Sequence, residues 1–390
     1  MDAKRFAASP VGRLVPVRGY DVRHREEYDH VAFVPDPLPD SLPLAATTYS
    51  LATQAQAAVA RADQATALLP NPRLLIRPST TLEAVSTSAL EGTYAAFTDV
   101  LAADLLGDKD ASPSVAEVLN YVRAAEHGYA WVRERPMTLG LLCDLQAMLV
   151  RGTPGGRTGA GALRETVVVI GAPGGRIADA RFVPPPPGDL LRDGLEAWLA
   201  WVGTDGPMPL LVRVAVAHYQ FESLHPFTDG NGRLGRLVAI LQLISAGELR
   251  MPVVNISPWL VSRRDDYQNL LAHVSATGDW DSWVSFFAEA VLAGAGDAVS
   301  TIERLLDLRD RLVGRVRQAG VRGVALTIAE ELIGYPLITS RRAAESTGVS
   351  YPAANAGIAR LVELGILRER TGRAYARVFA CDEVLEIIER

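Results

Sequence analysis

The stretch from His225 to Arg236, HPFTDGNGRLGR, gathers an imidazole, a carboxylate, an amide and two guanidinium groups around glycines. The pattern predicts a helix ending at Leu224, a loop over His225–Gly232 and an apolar helix from about Arg233. Glycines 230 and 232 let the backbone approach a ligand closely, and the free N–H groups of a helix's first turn attract anions. Arg233 and Arg236 stand three apart, so both reach one face near that helix start, where two fixed cations call for an anion. A polyphosphate meets that need. Asp229 is the only carboxylate inside the loop, and beside a polyphosphate its natural task is to hold Mg²⁺. His225 stands at the loop's entrance, where a neutral imidazole can take a proton from an incoming hydroxyl. Asn231 can bond phosphate or orient the loop. Each residue alone has a plain structural reading as cap, turn or solvated charge. The ordered run of twelve describes phosphoryl or nucleotidyl transfer.

The same twelve residues resemble the signature of the Fic family, HPF-x-(Asp/Glu)-GN-(Gly/Lys)-R-x-x-R, at every specified position. The resemblance implies a mainly helical fold and transfer of AMP from ATP to a Ser, Thr or Tyr hydroxyl of a protein. By it, His225 is the base, Asp229 the Mg²⁺ ligand and Phe227 an inward anchor. Gly230, Asn231 and Gly232 hold the α- and β-phosphates, and Arg233 and Arg236 engage the β- and γ-phosphates. Upstream, Thr87-x-x-x-Glu91-Gly92 is similar to the family's inhibitory helix motif, which implies that Glu91 occupies Arg236 and blocks the γ-phosphate. The segment Glu165–Val183 resembles the β-hairpin flap that docks a target's backbone by strand addition. In SPWLVSRRDDYQ, Arg264 and Tyr267 match the helix that lines the nucleotide base, while Gln268 replaces a second tyrosine. Tyr267 is therefore an expected ATP-binding residue.

The elements that must position these groups are mostly helices. Residues 1–45 are polar and proline-punctuated, and suggest an extended arm over the body. Helical periodicity runs over about 43–65, 81–105, 115–133 and 139–149. Glu165–Ile170 and Arg176–Val183 suggest two strands about the GAPGG turn. Helices resume near Asp189 and continue to Gln318, with Trp280 and Trp283 as core anchors. Short helices at 340–346 and 351–364, then ILRERTGRAYARVF as two strands, give the winged-helix pattern. The expected fold is mainly α, a helical Fic fold with a β-hairpin flap plus a C-terminal winged-helix domain. Its divisions are 1–110 with the inhibitory helix at about 81–105, a catalytic core at 111–295, a linker helix at 296–319 and the winged helix at 320–390.

The 390 residues carry a net charge of -6, with 48% hydrophobic and 22% charged side chains, which suits an ordinary globular protein rather than an obvious polyanion binder. Two cysteines, Cys143 and Cys381, make a disulfide framework or thiolate zinc site a poor expectation. With neither a signal core nor a membrane span in the pattern, the chain is expected in the cytoplasm. Mg²⁺ and ATP are the expected cofactor and substrate. The expected partner is a target protein, a second copy of the chain included, and a homodimer is left open. DNA is a further candidate through the winged helix, by way of Asn355, Arg360, Arg368, Arg370, Arg373 and Arg377. Residues 326–390 hold eight arginines against nine acids, which weighs against it. Two competing readings are a DNA-binding regulator with a nucleotide-sensing Fic body, and a Fic enzyme that removes AMP or transfers phosphocholine or phosphate.

Overall fold

A computed structural model describes residues 1–22, 24–69, 71–157, 159–171, 175–372 and 376–389. In chain order come α1 (Ala3–Phe6), β1 (Gly12–Asp21), β2 (Glu26–Pro35), α2 (Ala46–Thr66), α3 (Ile76–Leu90), α4 (Phe97–Leu106), α5 (Pro113–Val132) and α6 (Leu139–Leu149). There follow α7 (Asp189–Val202), α8 (Leu210–Leu224), α9 (Asn231–Ser245), α10 (Ser257–Val261), α11 (Arg264–Thr277), α12 (Trp280–Gln318) and α13 (Val324–Glu331). The chain ends with β3 (Leu337–Ile338), α14 (Ser340–Thr347), α15 (Tyr351–Glu363), β4 (Arg368–Glu369), β5 (Phe379–Ala380) and α16 (Asp382–Ile388). The fold is mainly α, as expected. Contacts gather it into two compact units. Met1–Ala57, Arg123–Glu248 and Trp259–Ala293 form the first, and Ala58–Val122, Leu249–Pro258 and Gly294–Arg390 the second. Among the described residues no helix is long and apolar enough to cross a membrane.

In the first unit, α8 and α9 are buried on almost every side, from Leu211 to Leu224 and from Asn231 to Ile244. Their sequences are apolar all round, which is the pattern of a central helix rather than a surface one. The indole N–H groups of Trp198 and Trp283 donate to the α8 carbonyls of Ala217 and Ala215, at 2.9 and 2.8 Å. Trp283 is thus a core anchor, as the sequence suggested.

The N-terminal segment differs from the expected arm. Strands β1 and β2 pair antiparallel along their whole length, from Gly12 opposite Pro35 to Asp21 opposite Glu26. Along β1, Pro16, Arg18 and Tyr20 are exposed while Val17 is buried. The alternation was hidden because exposed Arg13 and Arg18 fall at opposite parities and Pro16 interrupts the run. A proline is tolerated where its strand position needs no ladder donor. Phe33 of β2 packs with Phe6 and Phe182, at centroid distances of 5.8 and 5.7 Å, and its N–H donates to the Val183 carbonyl at 2.8 Å. The supposed arm is part of a core.

The expected flap hairpin is also less regular. Among the described residues one antiparallel bridge, Ile170 with Phe182, joins its two limbs, and Ile177–Asp179 is a 3-10 turn. The prolines from 184 onward and that turn stop longer pairing, while Val167, Val169 and Ile170 pack against the Phe6–Phe33 cluster. Positions 172–174 of the GAPGG turn lie outside the described residues.

In the second unit, the helix expected over 81–105 is two helices. Gly92, at φ +90°, ends α3: its N–H donates to the Ala89 carbonyl, and that of Thr93 donates to Ser88. This is a Schellman close, which needs a residue tolerant of positive φ. The helix expected from about 296 begins sixteen residues earlier, at Trp280 of the first unit. Helices α13 to α15 pack on one another, and β3, β5 and β4 form a three-stranded antiparallel sheet in that order. Thr339 caps α14 by accepting from the Arg342 N–H at 3.1 Å. Arg373 lies outside the described residues.

Candidate active site

His225 terminates α8 as its C-cap, with φ 47° and ψ 60°, and its N–H donates to the Phe221 carbonyl at 3.0 Å. Left-handed backbone costs an L residue about 1–2 kcal/mol, so the position has to be held by its surroundings. The His225 carbonyl accepts from Arg164 Nε at 2.8 Å. Pro226 then forbids further helix, and Phe227 turns inward, fully buried.

The loop closes on itself through Asn231. Its Oδ1 accepts from the Phe227 N–H at 2.9 Å, and its Nδ2 donates to the Phe227 carbonyl at 2.8 Å. Of the two roles open to Asn231, the structure shows it orienting the loop. Gly230 begins α9 at φ +80° with no side-chain cap on the helix's first turn. Only glycine adopts that conformation cheaply, and a Cβ there would also press on Val150 at 3.3 Å. Arg233 and Arg236 follow within the first turn and a half, 2% and 1% exposed. Arg233 reaches Asp229 at 3.6 Å. Two nearly buried guanidinium groups thus stand beside a helix start that has no side-chain cap.

Asp229 is partly exposed. Its Oδ1 accepts from the Gly230 N–H at 2.6 Å, and its carbonyl accepts from Gln146 Nε2 at 3.0 Å. Gln146 is fixed in turn by the Gly161 N–H, which donates to its Oε1 at 2.6 Å. The Asp229 Oδ2 stands over Gly155, where a Cβ would lie 1.8 Å away. Among the described residues no group of three or more His, Cys, Asp or Glu side chains could hold an ion. A single carboxylate with an open side nevertheless fits Mg²⁺, which commonly takes one protein carboxylate and completes its shell with substrate phosphates and water.

Behind α9, His218 is enclosed. Its Nδ1 lies 3.1 Å from the Gly235 carbonyl, which can only accept, so Nδ1 carries the proton. Its Nε2 then accepts from the Tyr267 hydroxyl at 2.8 Å. Burial, and then the nearby Arg236, push the imidazole down to about 3, in keeping with a neutral ring. Glu222, 4.0 Å from Nε2, therefore faces a neutral partner. Trp283 and Phe287 complete the aromatic wall, with centroids 6.0 and 5.6 Å from the His218 ring.

The structure brings His225, Asp229, Gly230, Asn231, Gly232, Arg233 and Arg236 into one loop and helix start. It puts Tyr267 in the buried aromatic cluster, with its hydroxyl engaged by His218. Gln268 accepts from Arg181 at 3.1 Å, which joins α11 to the flap segment. Glu91 is the exposed C-cap of α3 in the second unit. Sequence reasoning missed Arg164, Gln146, Gly155 and His218. Arg164 precedes Glu165 and reads as one half of a surface ion pair. The others sit in segments whose periodicity or glycine content already had an explanation.

The mainly α fold, with a central loop that opens a helix bearing two buried arginines, is matched by Fic family models. Residues 49–130 match the Fic/DOC family N-terminal region and residues 136–243 the Fic/DOC family domain, and these parts of the chain belong to that family. The protein adenylyltransferase fic-1 of Caenorhabditis elegans is 33% identical over 132 residues, covering 33% of this chain and 23% of that protein. The probable protein adenylyltransferase aq_aa38 of Aquifex aeolicus (strain VF5) is 25% identical over 168 residues, or 42% of this chain and 49% of that one. This chain thus spans less than half the length of either relative. A Fic family protein from Desulfovibrio desulfuricans G20 superposes with a TM-score of 0.55 at 21% identity, covering 88% of this chain and 98% of that one. A Fic-1 structure from C. elegans gives 0.51 at 20% identity, covering 65% and 73%. At these identities the likeness concerns the fold.

Proposed function

We propose that this chain is a protein adenylyltransferase, which transfers AMP from ATP to a Ser, Thr or Tyr hydroxyl of a target protein. His225 takes the hydroxyl proton as the oxygen attacks the α-phosphorus and the bond to pyrophosphate breaks. The first-turn amides of α9, with Arg233 and Arg236, hold the phosphates and the charge that develops on the leaving group. Asp229 holds Mg²⁺, whose charge, when bound, neutralises the polyphosphate. Tyr267 is an ATP-binding residue on the nucleotide-base side, its hydroxyl held by His218. Glu91 is the brake: its carboxylate competes with the γ-phosphate for Arg236.

The observation that carries the reading is the left-handed cap that sets His225 at the head of a short loop, Pro226–Gly230, leading to an uncapped helix start with two buried arginines. Relatives named as protein adenylyltransferases support the choice of AMP over phosphate as the transferred group. We read 111–295 as the catalytic core, 296–319 as the linker and 320–390 as a winged helix. Several arginines of that last region stand beside acids, Arg368 with Asp382 at 2.7 Å and Arg341 with Glu345 at 3.7 Å, which favours a protein contact over DNA phosphate. The two unpaired cysteines suit the cytoplasm.

The test is incubation of the protein, with and without a cell extract, with ATP labelled on its α- or its γ-phosphate. Label should enter protein from the α-phosphate alone, and His225→Ala should abolish it. Entry from the γ-phosphate, or entry that survives His225→Ala, overturns the reading. Intact mass separates added AMP from phosphate or phosphocholine and identifies the acceptor, this chain included.

A further inference from the structure

Arg164 is an arginine with almost no access to water, 3% exposed, and four backbone carbonyls accept from its side chain. Nε donates to His225 at 2.8 Å, and NH2 donates to Leu224 at 3.3 Å and to Pro185 at 2.5 Å. NH1 donates to Thr166 at 3.2 Å, and the Arg164 backbone N–H donates to the Pro226 carbonyl at 3.0 Å. Burial lowers the guanidinium only to about 10, so it stays charged at neutral pH.

These contacts fall into two sets. Leu224, His225 and Pro226 are the last carbonyls of α8 and the first of the loop, where a helix presents unsatisfied acceptors and its negative dipole end. Thr166 is the second residue of the flap segment and Pro185 lies two residues past its end. A planar cation with five donors in a fixed fork can bridge both sets at once, and an ammonium cannot. His225 sits in left-handed backbone, whose strain must be offset by contacts that exist only in that conformation.

We propose that Arg164 is a positioning residue for transfer. It locks the His225 backbone in the left-handed cap and ties that cap to both roots of the flap, so that the imidazole and the target-docking segment hold one register. The proposal rests on the reading of His225 as the base. Misplacement of a reacting group by about an ångström costs about a hundredfold in rate. Arg164→Lys should therefore lower kcat by about that factor with the KM for ATP within about twofold, since the phosphate-holding groups are untouched.

The deciding measurement does not depend on activity. The chain has six histidines, so protein labelled at histidine Cε1 gives a six-signal spectrum in which His225→Ala assigns one signal and His218→Gln another. In Arg164→Lys and Arg164→Gln the His225 signal should shift and its titration midpoint change, while buried His218 stays in place. A His225 signal unmoved in both variants overturns the proposal, as does joint movement of His218 and His225, which would mean general loosening. If neither variant folds, hydrogen exchange in the parent decides: the Arg164 Nε–H should exchange far more slowly than a solvated guanidinium, and exchange at the solvated rate overturns the clamp. Should transfer itself prove absent while the His225 signal shifts as stated, the functional reading fails and the positioning geometry stands.

Discussion

Asn231 grips Phe227 from both sides, accepting from its amide at 2.9 Å and donating to its carbonyl at 2.8 Å. One side chain thereby sets the curvature of the loop between His225 and α9. Asn231→Ala would leave two buried backbone groups without these partners, at a cost of about 1–3 kcal/mol for each group so stranded. Urea unfolding should show that loss, and label transfer from ATP should fall with it. Asn231→Asp keeps the acceptor but loses the donor and buries a charge, so it should be no better than alanine.

His218 makes stability depend on acid. Its folded value of about 3 lies below the ordinary 6.5, so between those values the unfolded chain binds a proton that the folded one does not. Stability is therefore full above about pH 6.5 and falls as pH drops toward 3, at up to about 1.4 kcal/mol per unit from this group. Urea midpoints taken between about pH 7 and about pH 5 should show this slope, and His218→Gln should flatten it.

Asp229 and Gly155 give a metal prediction. Chelation of Mg²⁺ should stop transfer, and Asp229→Asn should raise the Mg²⁺ needed for half-maximal rate by about tenfold or more. Gly155→Ala should act in the same direction, because its Cβ would stand 1.8 Å from the present position of Asp229 Oδ2 and push the carboxylate aside. An unchanged Mg²⁺ requirement in both variants would remove Asp229 from the metal site.

Glu91→Gly should raise label incorporation by about tenfold. The substitution falls at an exposed C-cap, so the melting temperature should change little. Equal incorporation in mutant and parent would end the assignment of Glu91 as a brake.

Phe33 joins the N-terminal hairpin to the flap segment, through Phe182 and the Val183 carbonyl. Phe33→Ala should destabilise the protein by about 3–5 kcal/mol, as large-to-small changes in aromatic cores do. Hydrogen exchange should rise at Ile170 and Phe182, which form a bridge between the limbs of the flap.

The loop from His225 to Arg236 was legible in the sequence because its chemistry is local. A histidine, a carboxylate, three glycines and two arginines within twelve positions need only a helix start to bring them together, and periodicity supplies that. The helices were legible for the same reason, since a stripe recurring along the chain is a short-range signal. The break between α3 and α4 was hidden, although Gly92 lies inside the inhibitory motif, because apolar periodicity continues on both sides of it.

Pairing across long sequence separations was not legible. Strands β1 and β2 carry charges on both faces, and only packing of Phe33 against Phe6 and Phe182 distinguishes the hairpin from a polar arm. Arg164 shows the same limit more sharply. The sequence alone determines that an arginine stands before a strand-like run. Only the tertiary structure decides that the guanidinium is enclosed and turned toward the end of α8. A helix's last carbonyls and a buried cation satisfy one another in space, and no periodic rule connects positions sixty residues apart.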